Sequence, residues 1–264
     1  MNLGLDGKKA FVSGSTAGIG LACVVKLARE GAAVTLNGRT AARVEAAVAE
    51  VKKQVPQAKV DGIAADLGTA EGAKAVLERL PQVDVLVNNL GIFEAKPFGE
   101  IGDAEWLKFF EVNVLSGVRL TRGWLPGMKK ANWGRIMFIS SESALQIPAE
   151  MVHYGTTKTA QLAVARGIAE GLTGTGVTVN SILAGPTRSE GVGTFVEGLA
   201  RQQGKTSAQV EKEFFEQMRP TSLIKRFATP EEIAALVTFV ASAEASAIHG
   251  AALRVDGGVV RAIA

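Results

Sequence analysis

A single tyrosine, Tyr154, stands four residues before Lys158 in a chain of 264 residues. On a helix that spacing puts both side chains on one face. A free phenol titrates near about 10 and is a poor acid-base group at neutral pH. A neighbouring ammonium favours the phenolate and lowers that value, so the pair suits proton transfer with a substrate oxygen. The plainer reading is a helix-surface Tyr-Lys pair. Against it stands the fact that the chain has no other tyrosine. Ser140 and Ser141 lie upstream, Ser141 thirteen residues before Tyr154. A hydroxyl there could hydrogen-bond the same oxygen, or be an ordinary loop serine. It is no nucleophile elbow, because Gly-x-Ser-x-Gly is absent.

A second cluster runs Ser13-Gly14-Ser15-Thr16-Ala17-Gly18-Ile19-Gly20. Three glycines at the end of a strand let the backbone approach a pyrophosphate, and the following helix start offers unpaired N–H groups. Glycines also serve any tight turn, so position carries the argument: the cluster follows the first strand of an α/β pattern. The spacing is not Gly-x-Gly-x-x-Gly, and no Walker sequence occurs, which disfavours phosphoryl transfer. Asn88, Asn89 and Gly91 close a later strand, and Asn113 falls within a helical stretch. Each alone reads as a cap or turn residue.

The elements that position these residues follow from periodicity. Apolar runs at 9–13, 33–36, 60–64, 83–87, 135–139, 177–182 and 252–255 predict strands. Helix-period stretches lie between them, including 70–80, a long one over 113–128, and 154–172. Runs apolar throughout, alternating with helices, imply a parallel sheet covered on both faces. The reading is one α/β doubly wound domain over 1–264, with no linker and no repeat. Segment 187–227 breaks the rhythm. It carries a capping box at Thr206 and Gln209 and an apolar stripe at Phe214, Phe215 and Met218, and is expected to be a lid over the site.

Composition excludes several classes. Charged residues are 21% and hydrophobic ones 47%, so disorder is out. A net charge of +3, spread along the chain without basic runs, gives nucleic-acid binding no support. One cysteine, Cys23, rules out an intrachain disulfide and fits a reducing compartment; His153 and His249 are too far from it in sequence to suggest a zinc site. No apolar run is long enough for a membrane helix. The expectation is a cytoplasmic protein with no metal and no membrane or nucleic-acid partner.

Taken together and in order, Ser13-Gly14-x3-Gly18-x-Gly20, Asn88-Asn89-x-Gly91, Asn113, Ser141, Tyr154-x3-Lys158 and 180–189 resemble the short-chain dehydrogenase/reductase family over nearly the whole chain. The resemblance implies a Rossmann-type, mostly parallel seven-stranded sheet with helices on both faces, and assembly as a homotetramer or homodimer. It implies a catalytic tetrad of Asn113, Ser141, Tyr154 and Lys158. Tyr154 would be the acid-base group and Ser141 would polarise the substrate carbonyl. Lys158 would lower the Tyr154 pKa and hold the nicotinamide ribose, and Asn113 would keep a relay water beside Lys158. Gly14, Ser15, Thr16, Gly18, Ile19 and Gly20 would hold the cofactor. Asp66 and Leu67 would flank the adenine, Asn89 and Gly91 would line the adenosine side, and Gly185 and Thr187 would contact the nicotinamide. Ser13, Leu90, Ala184 and Ser189 depart from the family's usual Thr, Ala, Pro and Thr.

The implied function is hydride transfer between NADP(H) and a carbonyl or secondary alcohol, with NAD(H) as the alternative cofactor. Arg39, after a second strand free of acidic residues from 34 to 42, favours NADP(H), because a carboxylate there would repel a 2′-phosphate. The rival is a non-catalytic cofactor-binding or interaction protein on the same fold. Phe93, Phe98, Leu145, Ile147, Phe195 and Phe214–Met218 are expected to line an apolar pocket, with Glu94, Glu142, His153 and Arg188 as polar surface candidates.

Overall fold

Strands that carry apolar residues at every position have no face suited to water, so each must be packed on both sides. The computed structural model describes residues 2–263, apart from the side chains of residues 190, 191, 194, 195 and 199; Phe195 therefore lies outside the description. The order is β1 (Lys9–Val12), α1 (Gly18–Arg29), β2 (Ala33–Gly38), α2 (Ala41–Gln54), β3 (Val60–Ala64), α3 (Ala70–Arg79), β4 (Val85–Asn88), α4 (Asp103–Phe110), α5 (Ser116–Ala131) and β5 (Gly134–Ser141). Then come α6 (Val152–Glu170), β6 (Val177–Ala184), α7 (Glu190–Gln203), α8 (Ser207–Glu213), α9 (Pro230–Val240) and β7 (Ala252–Val255). Among the described residues, seven strands pair in parallel in the order β3-β2-β1-β4-β5-β6-β7.

Side chains alternate across the sheet. Phe11, Leu86, Ile136, Phe138 and Val179 pack with Val76, Leu120, Trp124 and Ala165 on one face. Val12, Val34, Leu36, Val87, Met137 and Ile182 pack with Val24, Leu27, Ile233 and Val237 on the other. Burying each large side chain fully is worth about 1.5–3 kcal/mol. The chain order reverses between β1 and β4, which leaves a crevice at their carboxyl ends where such sheets bind ligands. Thr40, Thr69 and Thr229 cap α2, α3 and α9 by accepting from the backbone N–H three residues on, which keeps the connections short.

Two elements differ from the sequence reading. The helix expected over 113–128 begins upstream at Asp103 and passes through a π-helical turn, Glu111–Leu115, that contains Asn113. Such a turn admits an extra residue and swings one position inward, and Asn113 is 1% exposed there. β6 runs to Ala184, in register with Ser141 and Val255. Alanine allows the ladder to continue where a proline would remove a donor.

Segment 187–227 is a folded cap. Val196, Ala200, Val210, Phe215 and Phe227 form its own apolar cluster, with Phe214 against it. Phe214 and Phe215 therefore face the cap's interior, which corrects their assignment to a substrate pocket. The capping box at Thr206 and Gln209 is present.

Asn37, at the end of β2, ties the crevice together. It is 2% exposed; its Oδ1 accepts from Gly14 N at 3.1 Å, and its Nδ2 donates to the Ile63 and Ala65 carbonyls at 3.0 and 3.1 Å. Asn37→Ala leaves the Gly14 N–H and the Ile63 and Ala65 carbonyls, all buried or half-buried, without this partner, so urea unfolding is expected to show a loss of about 2–3 kcal/mol. A loss under about 0.5 kcal/mol would show that these bonds hold nothing in place.

Candidate active site

The glycine turn after β1 is shaped by backbone demands. Gly14 and Gly18 have φ of 57° and 56°, a region where a Cβ is strained. A Cβ on Gly20 would lie 2.6 Å from Asn89 Nδ2 and 2.7 Å from Ser15 Cα. The α1 N-cap, Ala17, supplies no side-chain acceptor, so first-turn N–H groups remain for an outside anion. The turn is braced from beneath. Ser15 Oγ donates to Val12 O at 2.6 Å and accepts from Asn37 N at 2.9 Å; Asn89 Nδ2 donates to the Ser13 and Gly14 carbonyls at 3.0 and 2.9 Å. Ser15 and Asn89 thus act on the turn with their side chains. Ile19 packs against the core. These features fit a dinucleotide's pyrophosphate.

Beyond the turn, Gly38 packs against Thr16, and Arg39 is exposed at the end of β2. Asp66 is exposed and closes its own turn, accepting from Gly68 N at 3.0 Å. The Leu67 side chain is 1% exposed within the core. That side chain is therefore taken up by packing. Gly91 stands nearer the reacting end than expected: a Cβ on it would lie 3.4 Å from Lys158 Nζ and 3.5 Å from Asn113 Oδ1.

Ser141 ends β5, and Tyr154 and Lys158 share a face of α6. Lys158 is 5% exposed, and its Nζ donates to Ile139 O at 2.8 Å and Gln161 Oε1 at 3.3 Å. Burial brings its pKa down from 10.5 to about 8. Tyr154 moves the other way: burial first, then the Glu142 carboxylate, hold its phenol above the ordinary range, against a lowering hydrogen bond with Ser141. The expected depression by Lys158 is therefore absent in this structure. The reason is geometric, since Nζ points to carbonyl oxygens and lies 5.6 Å from the Tyr154 ring centre.

The Asn113 side chain accepts from Ile92 N at 2.7 Å and donates to Ile92 O and Thr157 Oγ1 at 3.0 and 2.9 Å. Its backbone carbonyl accepts from Gln161 Nε2 at 2.6 Å. The Gln161 amide thus bridges Asn113 and Lys158. Three residues beyond Lys158 on one helix, Gln161 was findable by spacing.

Glu142 is buried, 4% exposed, in contrast to the surface position expected. It accepts from the Ser141 hydroxyl and, through Oε1, from Arg219 Nε at 3.0 Å. Arg219 comes from the cap, 77 residues away, and no sequence signal marks it. His153 is fully buried with its ring 4.0 Å from that of Phe109, turned into the helix layer. Arg188 pairs with Glu211 inside the cap, and Glu94 is exposed. Phe93 stands edge-on to Tyr154 at 6.4 Å, and Ile147 packs on Gly155. Leu145 and Phe98 are exposed. Gly185 abuts the Asp256 backbone, and Thr187 Oγ1 donates to Gly185 O at 2.8 Å. Ser189 then caps α7 and comes up against Gly18, so the cap meets the glycine turn. No His/Cys/Asp/Glu group able to hold a metal occurs among the described residues, and no described helix is long and apolar enough to cross a membrane.

Residues 14–260 match the family described as Enoyl-(Acyl carrier protein) reductase. The "Uncharacterized oxidoreductase YvaG" of Bacillus subtilis is 49% identical over 263 residues, covering 100% of both chains. D-beta-hydroxybutyrate dehydrogenase of Cupriavidus necator is 32% identical over 260 residues, 97% of this chain and 99% of that one. Among solved structures, L-sorbose reductase from Gluconobacter frateurii, complexed with NADPH and L-sorbose, matches with a TM-score of 0.93 at 30% identity over 100% of both chains.

The buried Lys158 makes stability depend on pH. Between about 8 and its ordinary 10.5 the unfolded chain holds a proton that the folded protein has lost, so stability rises with pH in that window. The gain is roughly 3 kcal/mol. The raised Tyr154 pKa works in the opposite sense above its ordinary 10.0, and comparison with Lys158→Met cancels it. Wild type is expected to gain on Lys158→Met in chemical unfolding as pH rises through that window. A constant difference would place the ammonium in a solvated environment.

Proposed function

Because the chain belongs to the short-chain dehydrogenase/reductase family and is an oxidoreductase, we propose that it reduces a ketone or aldehyde carbonyl with NADP(H), Tyr154 being the proton donor. The observation that carries this reading is the placement of one phenol, held protonated by burial and the Glu142 charge, beside Ser141 and in front of Lys158. A proton donor must hold its proton at working pH. Bound along the crevice, the cofactor would supply the hydride. Ser141 orients the carbonyl oxygen with its hydroxyl, and Tyr154 gives that oxygen its proton. Lys158, anchored to Ile139 O and Gln161, keeps a positive charge behind the phenol at neutral pH, since its pKa is about 8. As charge builds on the substrate oxygen, that ammonium stabilises it.

The glycine turn and α1 N-terminus hold the pyrophosphate, and Arg39 takes the 2′-phosphate with its planar fork of donors. The NADPH in the Gluconobacter reductase supports the same preference. The cap over 187–227 is read as the cover that shields the reacting end from water. Assembly as a homotetramer or homodimer belongs to the same reading. The non-catalytic alternative has no support, since the relatives are named oxidoreductase, dehydrogenase and reductase.

Two variants test the proposal. Tyr154→Phe keeps the ring and removes the O–H. Turnover with a carbonyl panel is expected to fall by about 10²-fold or more, while NADPH binding, followed by fluorescence, is nearly unchanged. Turnover like wild type would remove Tyr154 from the mechanism. Arg39→Ala is expected to weaken NADPH binding roughly ten- to a hundred-fold and to leave NADH alone. Equal losses for both cofactors would overturn the assignment of Arg39.

A further inference from the structure

One buried acid in the crevice touches the Ser141 hydroxyl as well as acting on the phenol. Glu142 follows Ser141 directly and is 4% exposed. One of its oxygens, Oε2, accepts the Ser141 hydroxyl hydrogen; the other, Oε1, accepts from Arg219 Nε at 3.0 Å. Arg219 is fixed in turn. It follows the π-helical turn Phe214–Met218, donates to Met218 O at 2.9 Å, lies 3.8 Å from a Glu150 oxygen, and has its guanidinium 5.8 Å from the Phe214 ring. The carboxylate is thus held in one place against the catalytic hydroxyl.

Ser141 has a single hydroxyl hydrogen. On the reading proposed above, that hydrogen turns to the substrate carbonyl, and Glu142 Oε2 then loses its donor while still buried. A buried carboxylate oxygen without a donor is unfavourable, so a substrate O–H that replaces the one Ser141 withdraws favours productive binding. On that reading Ser141 Oγ lies within one hydrogen bond of both the carbonyl oxygen and Glu142 Oε2. A hydroxyl on the carbon next to the carbonyl is the nearest substrate donor that reaches Oε2. Substrate acids are excluded from the same spot, because their charge would meet Glu142. Arg219 offers no compensation, since Glu142 and Glu150 already face it.

We propose that Glu142 is a substrate-recognition residue that accepts a hydrogen bond from a hydroxyl adjacent to the reacting carbonyl, making hydroxyketones, and the vicinal diols formed from them, the substrate class. The inference rests on the carbonyl-reductase reading and narrows it. Sites built to bond a substrate hydroxyl reject analogues that lack it far more strongly than apolar pockets reject a missing methylene.

The test uses the intact enzyme with NADPH and three small ketones matched in size: hydroxyacetone, fluoroacetone and pyruvate. Fluorine activates the carbonyl as a hydroxyl does but donates no hydrogen bond. The expected kcat/KM for hydroxyacetone exceeds that for fluoroacetone by roughly ten- to a hundred-fold, with pyruvate poorest. In Glu142→Ala that ratio is expected to collapse towards one, whatever the absolute rates. A wild-type enzyme that handles fluoroacetone as well as hydroxyacetone, or prefers pyruvate, overturns the proposal and leaves the reductase reading standing. So does an unchanged ratio in a folded Glu142→Ala variant that still binds NADPH. If the variant does not fold, the wild-type comparison decides alone. NADPH consumption with none of these, nor with a broad aldehyde panel, overturns the reductase reading and this proposal with it.

Discussion

A lysine amine buried with only neutral oxygens around it is the constraint on which the reacting end depends. Lys158 Nζ has the Ile139 carbonyl of β5 and the Gln161 side chain as acceptors. Desolvating an ammonium is costly, and the depressed pKa is the expression of that cost. Each acceptor needs its own support. Gln161 is aimed by its bond to the Asn113 carbonyl, and that carbonyl is presented by the π-helical turn between α4 and α5. The Asn113 side chain clamps Ile92 and Thr157, so the loop after β4 and the helix α6 are joined through the same turn. Four elements are thereby fixed around one cation, and Tyr154 is placed by what surrounds its neighbour.

The opposite end of the crevice is held by a different device. There the backbone must approach a ligand closely, and side chains serve as struts beneath it. Ser15, Asn37 and Asn89 use their hydrogen-bonding capacity on the glycine turn and on neighbouring strand ends. The turn is rigid because its polar groups are satisfied from below, which leaves the α1 N–H groups for the cofactor. Rigid support under a binding loop is what preorganised sites require. The cap joins the two ends. Its N-terminus meets Gly18 through Ser189, and its far end delivers Arg219 to Glu142.

Much of this was legible in the residues. Apolar runs such as 83–87 and 135–139 admit no half-exposed sheet, so the parallel architecture followed from burial alone. Tyr154 and Lys158 announced themselves by type and spacing. Gln161 could have been found by the same helical arithmetic. Other features were out of reach. A glutamate beside a serine reads as a loop charge, and only the fold shows that Glu142 is enclosed by an arginine 77 residues on. The π-helical turn at Asn113 leaves no periodic trace, because one additional residue only shifts the phase of a helix. Phe214 and Phe215 looked like pocket residues, since an apolar stripe does not say which side of a cap it will face.

A phenol that keeps its proton is central to this site, and the chain offers a direct reading of it. Tyr154 is the one tyrosine in the sequence, so the near-ultraviolet absorbance of tyrosinate reports this group alone. The measurement is a spectrophotometric pH titration of the folded protein, with circular dichroism followed in parallel to mark unfolding. The expected result is ionisation only above the ordinary value of about 10, or not before the fold is lost. A phenolate forming in the folded protein well below that value would contradict the account, because it would make Tyr154 a base poised for oxidation.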